Sequence, residues 1–511
     1  MLRSVLIANR GEIALRVIRA CRDLGIRSVA VYSEADRTAP HVLAADEAHY
    51  LGPAEASRSY LDVDALLAVA RSAEVDAVHP GYGFLAERGS FAQAVAEAGF
   101  TFIGPSGDTI EAMGDKTAAR RRMSEAGVPV VPGTVDALAS ADEALEWARS
   151  VGFPVLLKAS AGGGGKGMRV VESEDELPRA LDAARREAQG AFGDDSVYVE
   201  KYLDTPRHVE IQVLADRDGH TIHLGERECS VQRRHQKLIE EAPSPAVTPE
   251  IRAAMGEAAV RAAEAVSYEG AGTVEFLFQD GEFFFLEMNT RIQVEHPVTE
   301  LVTGVDLVEW QLRIAGGEPL SVRQEAVRLE GHAMECRITA EDPSAGFLPA
   351  VGTVEGLQIP SGQGVRWDGG ISVGQEVGLH YDPLLGKLIT AGRDREAAVD
   401  RMLRALDELV VEGVATCAPF HMRALQEPDF RAGRLSIRYL EDHPELTEGS
   451  LDENRRRAAA VAAALLEDRE RKLFHAPRLN RARNGEAEAP RDGSGGSGAE
   501  ARRDPAASGP R

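Results

Sequence analysis

Residues 287 to 300 read EMNTRIQVEHPVTE, with Glu287, Asn289, Arg291, Gln293 and Glu295 at alternate positions. Side chains of an extended chain point alternately to opposite faces, so these five share one side. A strand that needs only a solvated face requires no such mixture of carboxylate, amide and guanidinium. Glu275 and Glu287, with Asn289, supply the hard oxygen atoms that suit magnesium, an ion that prefers carboxylates together with substrate phosphates. Along the same face Arg291 offers a fixed cation, Gln293 a donor and Glu295 a base.

The elements that must aim these groups are legible around them. TVEFLFQDGEFFFLEMN reads as two aromatic-rich strands around Asp280-Gly281. A two-residue loop in regular register would place Glu275 and Glu287 on opposite faces, whereas a three-residue loop ending in a left-handed Gly281 would place them together. A shared metal therefore requires an odd-length loop or a bulge.

Upstream, FPVLLKASAGGGGKGMRVV (153 to 171) is the most informative glycine cluster. It is not a P-loop, because Gly167 follows Lys166 where Ser or Thr would be needed, and a strand rather than a helix follows. It reads as a strand-loop-strand lid whose backbone N–H groups can fold around phosphate oxygens, with Lys158 and Lys166 adding positive charge. After a helical stretch around 174 to 190 come VYVEKYLDTPRHVEIQVLAD and ECSVQRRHQKLIEEAP. Gln232, Arg233, Arg234, His235 and Lys237 form a basic cluster there, readable as a solvated face or as an anion site. His208 by itself is as readable as a structural histidine.

The chain opens on SVLIANRGEIALRVIRACRDLGIRSVAVYS, a βαβ pattern, and repeats it through DAVHPGYGFLAE and TFIGPS. This predicts an open, mostly parallel sheet with its site at the strands' carboxyl ends. The turns lack GxGxxG, which argues against a dinucleotide. The segment from about 329 to 445, with GTVEGLQIP and VGQEVGLHYDPLLGKLITAG, reads as a mixed, largely antiparallel domain packed on the central body.

A chain of 511 residues implies roughly two to four domains. The 43% hydrophobic and 27% charged residues are the balance of a soluble globular enzyme. No membrane-length apolar run and no signal peptide is readable, which predicts a cytoplasmic protein. Cys21, Cys229, Cys336 and Cys417 lie far apart and predict idle thiols, not zinc or disulfides. A net charge of −24 argues against a nucleic-acid or anionic-membrane surface while leaving room for a local basic pocket.

The motifs NRGEIALRVIRA, HPGYGFLAE, GPS, MGDK, KASAGGGGKGM, VEKYL, RHVEIQV, ERECSVQRRHQKLIEEAP, GTVEF and FLEMNTRIQVEHPVTE occur in this order, and MECRITAED follows. Together they resemble the biotin carboxylase family, a branch of the ATP-grasp superfamily, from residue 1 to about 445. The resemblance implies an N-terminal α/β domain over 1–115, an ATP-grasp domain over 116–328 with its lid at about 130–202, a C-terminal mixed α+β domain over 329–447, and a tail over 448–511. It implies attack of bicarbonate on the γ-phosphate of ATP, with carboxyphosphate delivering CO2 to biotin on a carrier protein.

Carried over by residue, Lys116, Lys158, Glu200, Lys201, Leu203, His208, Gln232, His235 and Leu277 match nucleotide-contacting positions, with Gly163, Gly164, Gly165, Lys166 and Gly167 in the lid. Glu275, Glu287 and Asn289 match ligands of magnesium or manganese. Lys237, Arg291, Gln293, the backbone of Val294, Glu295 and Arg337 match the bicarbonate and biotin site. In that scheme Glu295 is the base and Arg291 stabilises the biotin enolate. Phosphate released from carboxyphosphate takes the biotin N1 proton. Arg16, Arg19, Arg366 and Asp382 match homodimer positions. The expected partners are a biotin carboxyl carrier protein and a carboxyltransferase subunit, as in acetyl-CoA carboxylase. The rival readings are another ATP-grasp ligase, which would share the lid and metal carboxylates but not RIQVEHPVTE and MECRITAED, and a non-catalytic scaffold, which would have lost a metal ligand or the base, whereas none is missing.

The end of the chain departs from this pattern. Residues 451 to 472 are Arg- and Ala-rich with a helical period, readable as a docking or a surface helix, and 476 to 511 fall into low complexity. No Met-Lys-Met biotinylation signature occurs, so biotin is expected on a separate polypeptide.

Overall fold

The computed structural model describes residues 1–134, 137–159, 168–447, 461 and 463–466. Residues Met1–Gly449 form one compact unit and Ser450–Arg511 another. In the second, residues 461 and 463–466 are helical; the rest of the expected tail helix and the low-complexity stretch lie outside the described residues.

Short apolar runs at the start build the parallel sheet. Its strands are β1 (Ser4–Ile7), β2 (Arg27–Ser33), β3 (Glu47–Gly52), β4 (Ala77–His79) and β5 (Thr101–Phe102), in the order β3-β2-β1-β4-β5. Helix Gly11–Asp23 covers it with Ile13, Ala14, Val17, Ile18 and Cys21, the one-face spacing of an amphipathic helix. Strand order reverses between β1 and β4, and there the Asn9 amide donates to the carbonyls of Pro80 (2.7 Å) and Tyr82 (2.8 Å). The NRGE and HPGYG turns are thereby fixed side by side.

The lid's flanks are β6 (Val155–Ala159) and β7 (Met168–Val171), antiparallel, with β8 (Val197–Lys201) on the other side of β6. The strand-loop-strand reading holds, and the glycine tip at 160–167 lies outside the described residues.

The largest sheet is antiparallel throughout. It contains β9 (Arg207–Ala215), β10 (Thr221–Arg233), β11 (Gln236–Ala242), β12 (Gly270–Gln279), β13 (Glu282–Asn289), β14 (His332–Thr339) and the strands Leu384–Gly392 and Val365–Gly369. Their order is β13-β12-β9-β10-β11-β14, then Leu384–Gly392, then Val365–Gly369. One face is apolar: Val209, Ile211, Val274 and Phe276 meet Met255, Ala258 and Ala262 of helix Pro249–Glu264. Met334, Cys336 and Leu388 continue it under Val399 and Met402 of helix Arg395–Glu408. Each such side chain contributes about 1.5–3 kcal/mol on burial, enough to hold the sheet while its other face carries charge.

The segment after 329 is largely antiparallel, as expected, and joins the central body through its sheet: β14 pairs with β11 through Ile239↔Cys336 and Glu240↔Glu335. The open edge of β11 carries unpaired N–H and C=O groups, and the next strand satisfies them.

Candidate active site

The hairpin between β12 and β13 answers the question of register. Its loop is the two residues Asp280 (φ 53°) and Gly281 (φ 83°), both left-handed, closed by the pair Gln279↔Glu282. Phe276 faces Phe285, yet Glu275 faces Glu287, so Leu286 is an extra residue on β13. The bulge returns both glutamates to one face, as the metal reading required. Asn289 follows on that face opposite Thr273, and its amide donates to Glu275 Oε1 at 2.9 Å.

A second bulge aims the lysine. Gln232 faces Lys237 while Val231 faces Ile239, which leaves Leu238 extra on β11. Lys237 thus joins the face of Glu240, where its ammonium donates to Glu210 (2.5 Å), Glu275 (2.9 Å) and Glu295 (2.6 Å). Arg337 on β14 donates from Nη2 to Glu295 Oε2 (2.9 Å) and from Nε to Glu240 Oε1 (2.6 Å). Glu295 comes from the loop leading into helix His296–Thr303 and is clamped between Lys237 and Arg337. Gln293 donates to Glu275 Oε1 at 2.7 Å, and Arg291 to Asn289 Oδ1 at 2.9 Å. The strand ends at Asn289, so the alternation does not run on as extended chain to Glu295; the bend and turn that follow nevertheless bring Arg291, Gln293 and Glu295 into one hydrogen-bonded set with Asn289, Glu275 and Lys237 beside Glu287.

The charges are set by this crowding. Burial pushes Glu295 up, but Lys237, Arg337 and Arg227 outweigh it and hold the carboxylate well below its usual range. Burial likewise pulls Lys237 down, and Glu210, Glu275 and Glu295 raise it well above an ordinary lysine. His208, 3.0 Å from Glu275, is raised by that carboxylate against the pull of burial. Burial pushes Glu240 up to about 7 despite Arg337, and pushes Glu335 well above a normal carboxyl.

The nucleotide candidates fall on two sheets. His208 faces Leu277 across β9 and β12, and Gln232 faces Lys237. His235 is exposed at the β10–β11 turn, where Arg234 (φ 48°) and His235 (φ 66°) both take the left-handed conformation usually left to glycine or asparagine. Lys116 pairs with Glu287 at 3.0 Å. On the smaller sheet Lys158 pairs with Glu200 at 2.5 Å, and Arg120 is a second cation on that carboxylate. The N–H of Lys201 donates to the Pro132 carbonyl at 2.9 Å, and Leu203 is half-buried just beyond it. Gly163, Gly164, Gly165, Lys166 and Gly167 lie outside the described residues. Arg233 leaves the basic cluster, donating to the Gly346 carbonyl (2.7 Å) and lying 4.8 Å over the Phe347 ring.

Among the interface candidates, Arg16 and Arg366 meet at Glu300 (2.9 and 2.7 Å), and Arg19 is exposed on the helix of Arg16. Asp382 instead accepts from the N–H of Leu384 at 3.0 Å. All four cysteines are free and buried.

Sequence reasoning missed Arg227, the largest fully buried side chain among the described residues. It donates to Glu210 (2.5 Å), Gln212 (2.7 Å), Thr299 (2.9 Å), Thr273 (3.1 Å) and Gln293 (2.7 Å), tying four elements under the site. Its only signal was a charged residue inside ERECSVQ, where neighbouring glutamates made it look solvated. Lys387, a buried cation on strand Leu384–Gly392, was missed in the same way.

Comparison with known proteins agrees with this geometry. Residues 1–110 match the family model of the biotin carboxylase N-terminal domain, 115–323 that of the carbamoyl-phosphate synthase L chain ATP-binding domain, and 335–442 that of the biotin carboxylase C-terminal domain. The chain is 54% identical to biotin carboxylase of Haemophilus influenzae, covering 86% of this chain and 98% of that one. It is also 54% identical to a pyruvate carboxylase subunit of Methanothermobacter thermautotrophicus, over 87% and 90% of the two chains. A biotin carboxylase domain dimer of 2-oxoglutarate carboxylase from Hydrogenobacter thermophilus, solved with MgADP, ADP and bicarbonate, superposes with a TM-score of 0.80 at 49% identity, over 88% of this chain and 99% of that one. With its ATP-grasp body and both flanking domains matched, the chain belongs to the biotin carboxylase family of ATP-dependent ligases.

Proposed function

We propose that this chain carboxylates biotin presented by a separate carrier protein, using ATP and bicarbonate, as the first half-reaction of a biotin-dependent carboxylase. The observation that carries the reading is the single face on which Glu275, Glu287 and Asn289 adjoin Lys237, Glu295 and Arg337. Two carboxylates paired across neighbouring strands, with an amide beside them, are a donor set that fits magnesium. Magnesium held by Glu275, Glu287 and Asn289 together with ATP phosphates would neutralise charge on the phosphoryl group in transfer.

The remaining steps belong to the chain's own residues. Lys237 and Arg337 seat the bicarbonate anion, and Gln293 and the Val294 backbone orient it. Glu295 takes its proton. The carboxylate is a weak base while both cations grip it, one on each oxygen. An anion seated between Lys237 and Arg337 draws their donors away and raises its basicity, so the base strengthens when substrate arrives. Arg291, half-buried beside Asn289, faces the biotin ureido group and stabilises its enolate. On the nucleotide side Lys116 and Lys158 hold phosphates with the glycine lid, Glu200 and the backbone near Lys201 and Leu203 hold adenine, and His208, Gln232, His235 and Leu277 lie by the ribose.

Relatives of similar identity serve pyruvate and 2-oxoglutarate carboxylases, and the acyl-CoA carboxylases, acetyl-CoA carboxylase of fatty acid biosynthesis among them, are the parallel case. The acceptor is chosen by the carboxyltransferase subunit, so this half-reaction is common to all. We place Arg16, Arg19, Arg366 and Asp382 at a homodimer contact. No helix among the described residues is long and apolar enough to cross a membrane, in keeping with a cytoplasmic enzyme. The test is transfer of labelled bicarbonate to free biotin. Magnesium-ATP should support it in the wild type, and Glu295→Gln should abolish it while ATP still binds. Normal transfer by that variant would overturn the assignment of the base.

A further inference from the structure

The NRGE and HPGYG turns of the N-terminal sheet carry a glutamate and a tyrosine to which the reaction above gives no task. Glu12 lies in the first turn of helix Gly11–Asp23, is buried, and accepts a hydrogen bond from the Tyr82 hydroxyl. Its Oε1 also pairs at 3.0 Å with the ammonium of Lys387. Lys387 is 0% exposed and donates at 2.7 Å to the main-chain carbonyl of Val294. It is the cross-strand partner of Arg337, so it stands on the charged face directly behind the anion site. A buried ammonium costs several kcal/mol to desolvate, and an apolar side chain of equal volume would fill the space without that cost.

The Val294 carbonyl lies between the two functional side chains of its loop. Gln293 is fixed by Arg227 and by its carbonyl's 2.7 Å contact with His296 Nδ1, and Glu295 is fixed by Lys237 and Arg337. Only the peptide plane joining Val294 to Glu295 remains to be set, and its oxygen is held by Lys387. We infer that Lys387, anchored by Glu12 and Tyr82, is a positioning residue that locks this plane and thereby aims the Glu295 carboxylate at bicarbonate. Through this bond the N-terminal domain contributes to the site without touching substrate. The inference rests on the proposed carboxylation. Groups that must meet a small anion tolerate about 0.5 Å of error, so a loosened plane is felt directly in catalysis.

The experiment compares wild type, Lys387→Met, Glu12→Gln and the double variant, which removes both charges and leaves no buried carboxylate unpaired. For Lys387→Met, kcat/KM for bicarbonate should fall on the order of 100-fold and that of Glu12→Gln on the order of 10-fold, with KM for magnesium-ATP within about threefold of wild type. The double variant should be no worse than Lys387→Met alone. Amide hydrogen exchange over residues 290–300 should quicken in Lys387→Met and not in β9 or β12. Wild-type bicarbonate kinetics in the folded double variant, or unchanged exchange over 290–300, would overturn the inference. Absence of bicarbonate-dependent ATP cleavage in the wild type would instead defeat the functional reading, and the exchange rates would still decide the role of Lys387.

Discussion

Glu335 on the charged face of the large sheet and Glu295 in the loop above it are both buried carboxyls, yet their surroundings push them in opposite directions. Lys237 and Arg337 bind the oxygens of Glu295 and keep it ionised. Glu335 has neither oxygen in a hydrogen bond and faces Glu240 across β11 and β14, so burial and its like-charged neighbour raise it well above the ordinary carboxyl range against the pull of Lys387 and Arg337. The sign of the stability effect follows. A carboxyl whose folded pKa is raised holds its proton after the unfolded chain has lost it, so stability falls as pH rises above the unfolded value of about 4.3. Glu335→Gln, an uncharged isostere of the protonated form, should remove that loss. Its melting temperature relative to wild type should rise as pH is raised above about 4.3 and level off once the folded wild type gives up the Glu335 proton. A melting-temperature difference that does not change with pH above that value would contradict a raised Glu335. Arg227 makes the converse case. Arg227→Ala leaves Glu210 to Lys237 alone and takes the buried donor from Gln212, Gln293, Thr273 and Thr299, and should cost about 3–5 kcal/mol, read as a lowered urea midpoint.

At the scale of elements, the site depends on irregularities in strands more than on the strands. The extra residue Leu286 puts Glu287 beside Glu275, and the extra residue Leu238 puts Lys237 beside Glu240. Glu287→Gln keeps the bulge and the hairpin and removes one carboxylate from the shared face. Magnesium-dependent ATP turnover should then drop by on the order of 100-fold or more in a protein that still folds. Retained turnover would mean that Glu287 is not a ligand. These two bulges also divide what could be read in advance from what could not. The stripe from Glu287 to Glu295 is local, and alternation together with the need for a shared metal was enough to require a bulge or an odd loop. Arg227 and Lys387 are not legible in this way. Each is one charge in a strand whose partners lie far away in sequence, at Gln293 and Thr299 for the first and at Glu12 and Val294 for the second. The continuation of the central sheet into β14 escaped for a related reason, since no local pattern states which free edge a later strand will join.

Across the whole molecule, a strongly acidic chain concentrates buried cations at one place. The charged face of the eight-stranded sheet receives the NRGE turn from one side and the loop of Glu295 from above, so three stretches matched to separate family models meet at one anion site. The apolar face of the same sheet bears the cost of that arrangement through two long helices. Biotin enters on another polypeptide in this account, and the acceptor is chosen elsewhere, so the chain is accountable for a single coupling: ATP should be split only when bicarbonate and biotin are both present. The most direct measurement is ADP release by the purified chain with magnesium-ATP, adding and withholding bicarbonate and free biotin in turn. The account predicts ADP formation that rises at least about tenfold when both are supplied and falls to background when bicarbonate is removed. ADP formation indifferent to bicarbonate, in a protein shown to bind ATP, would contradict it.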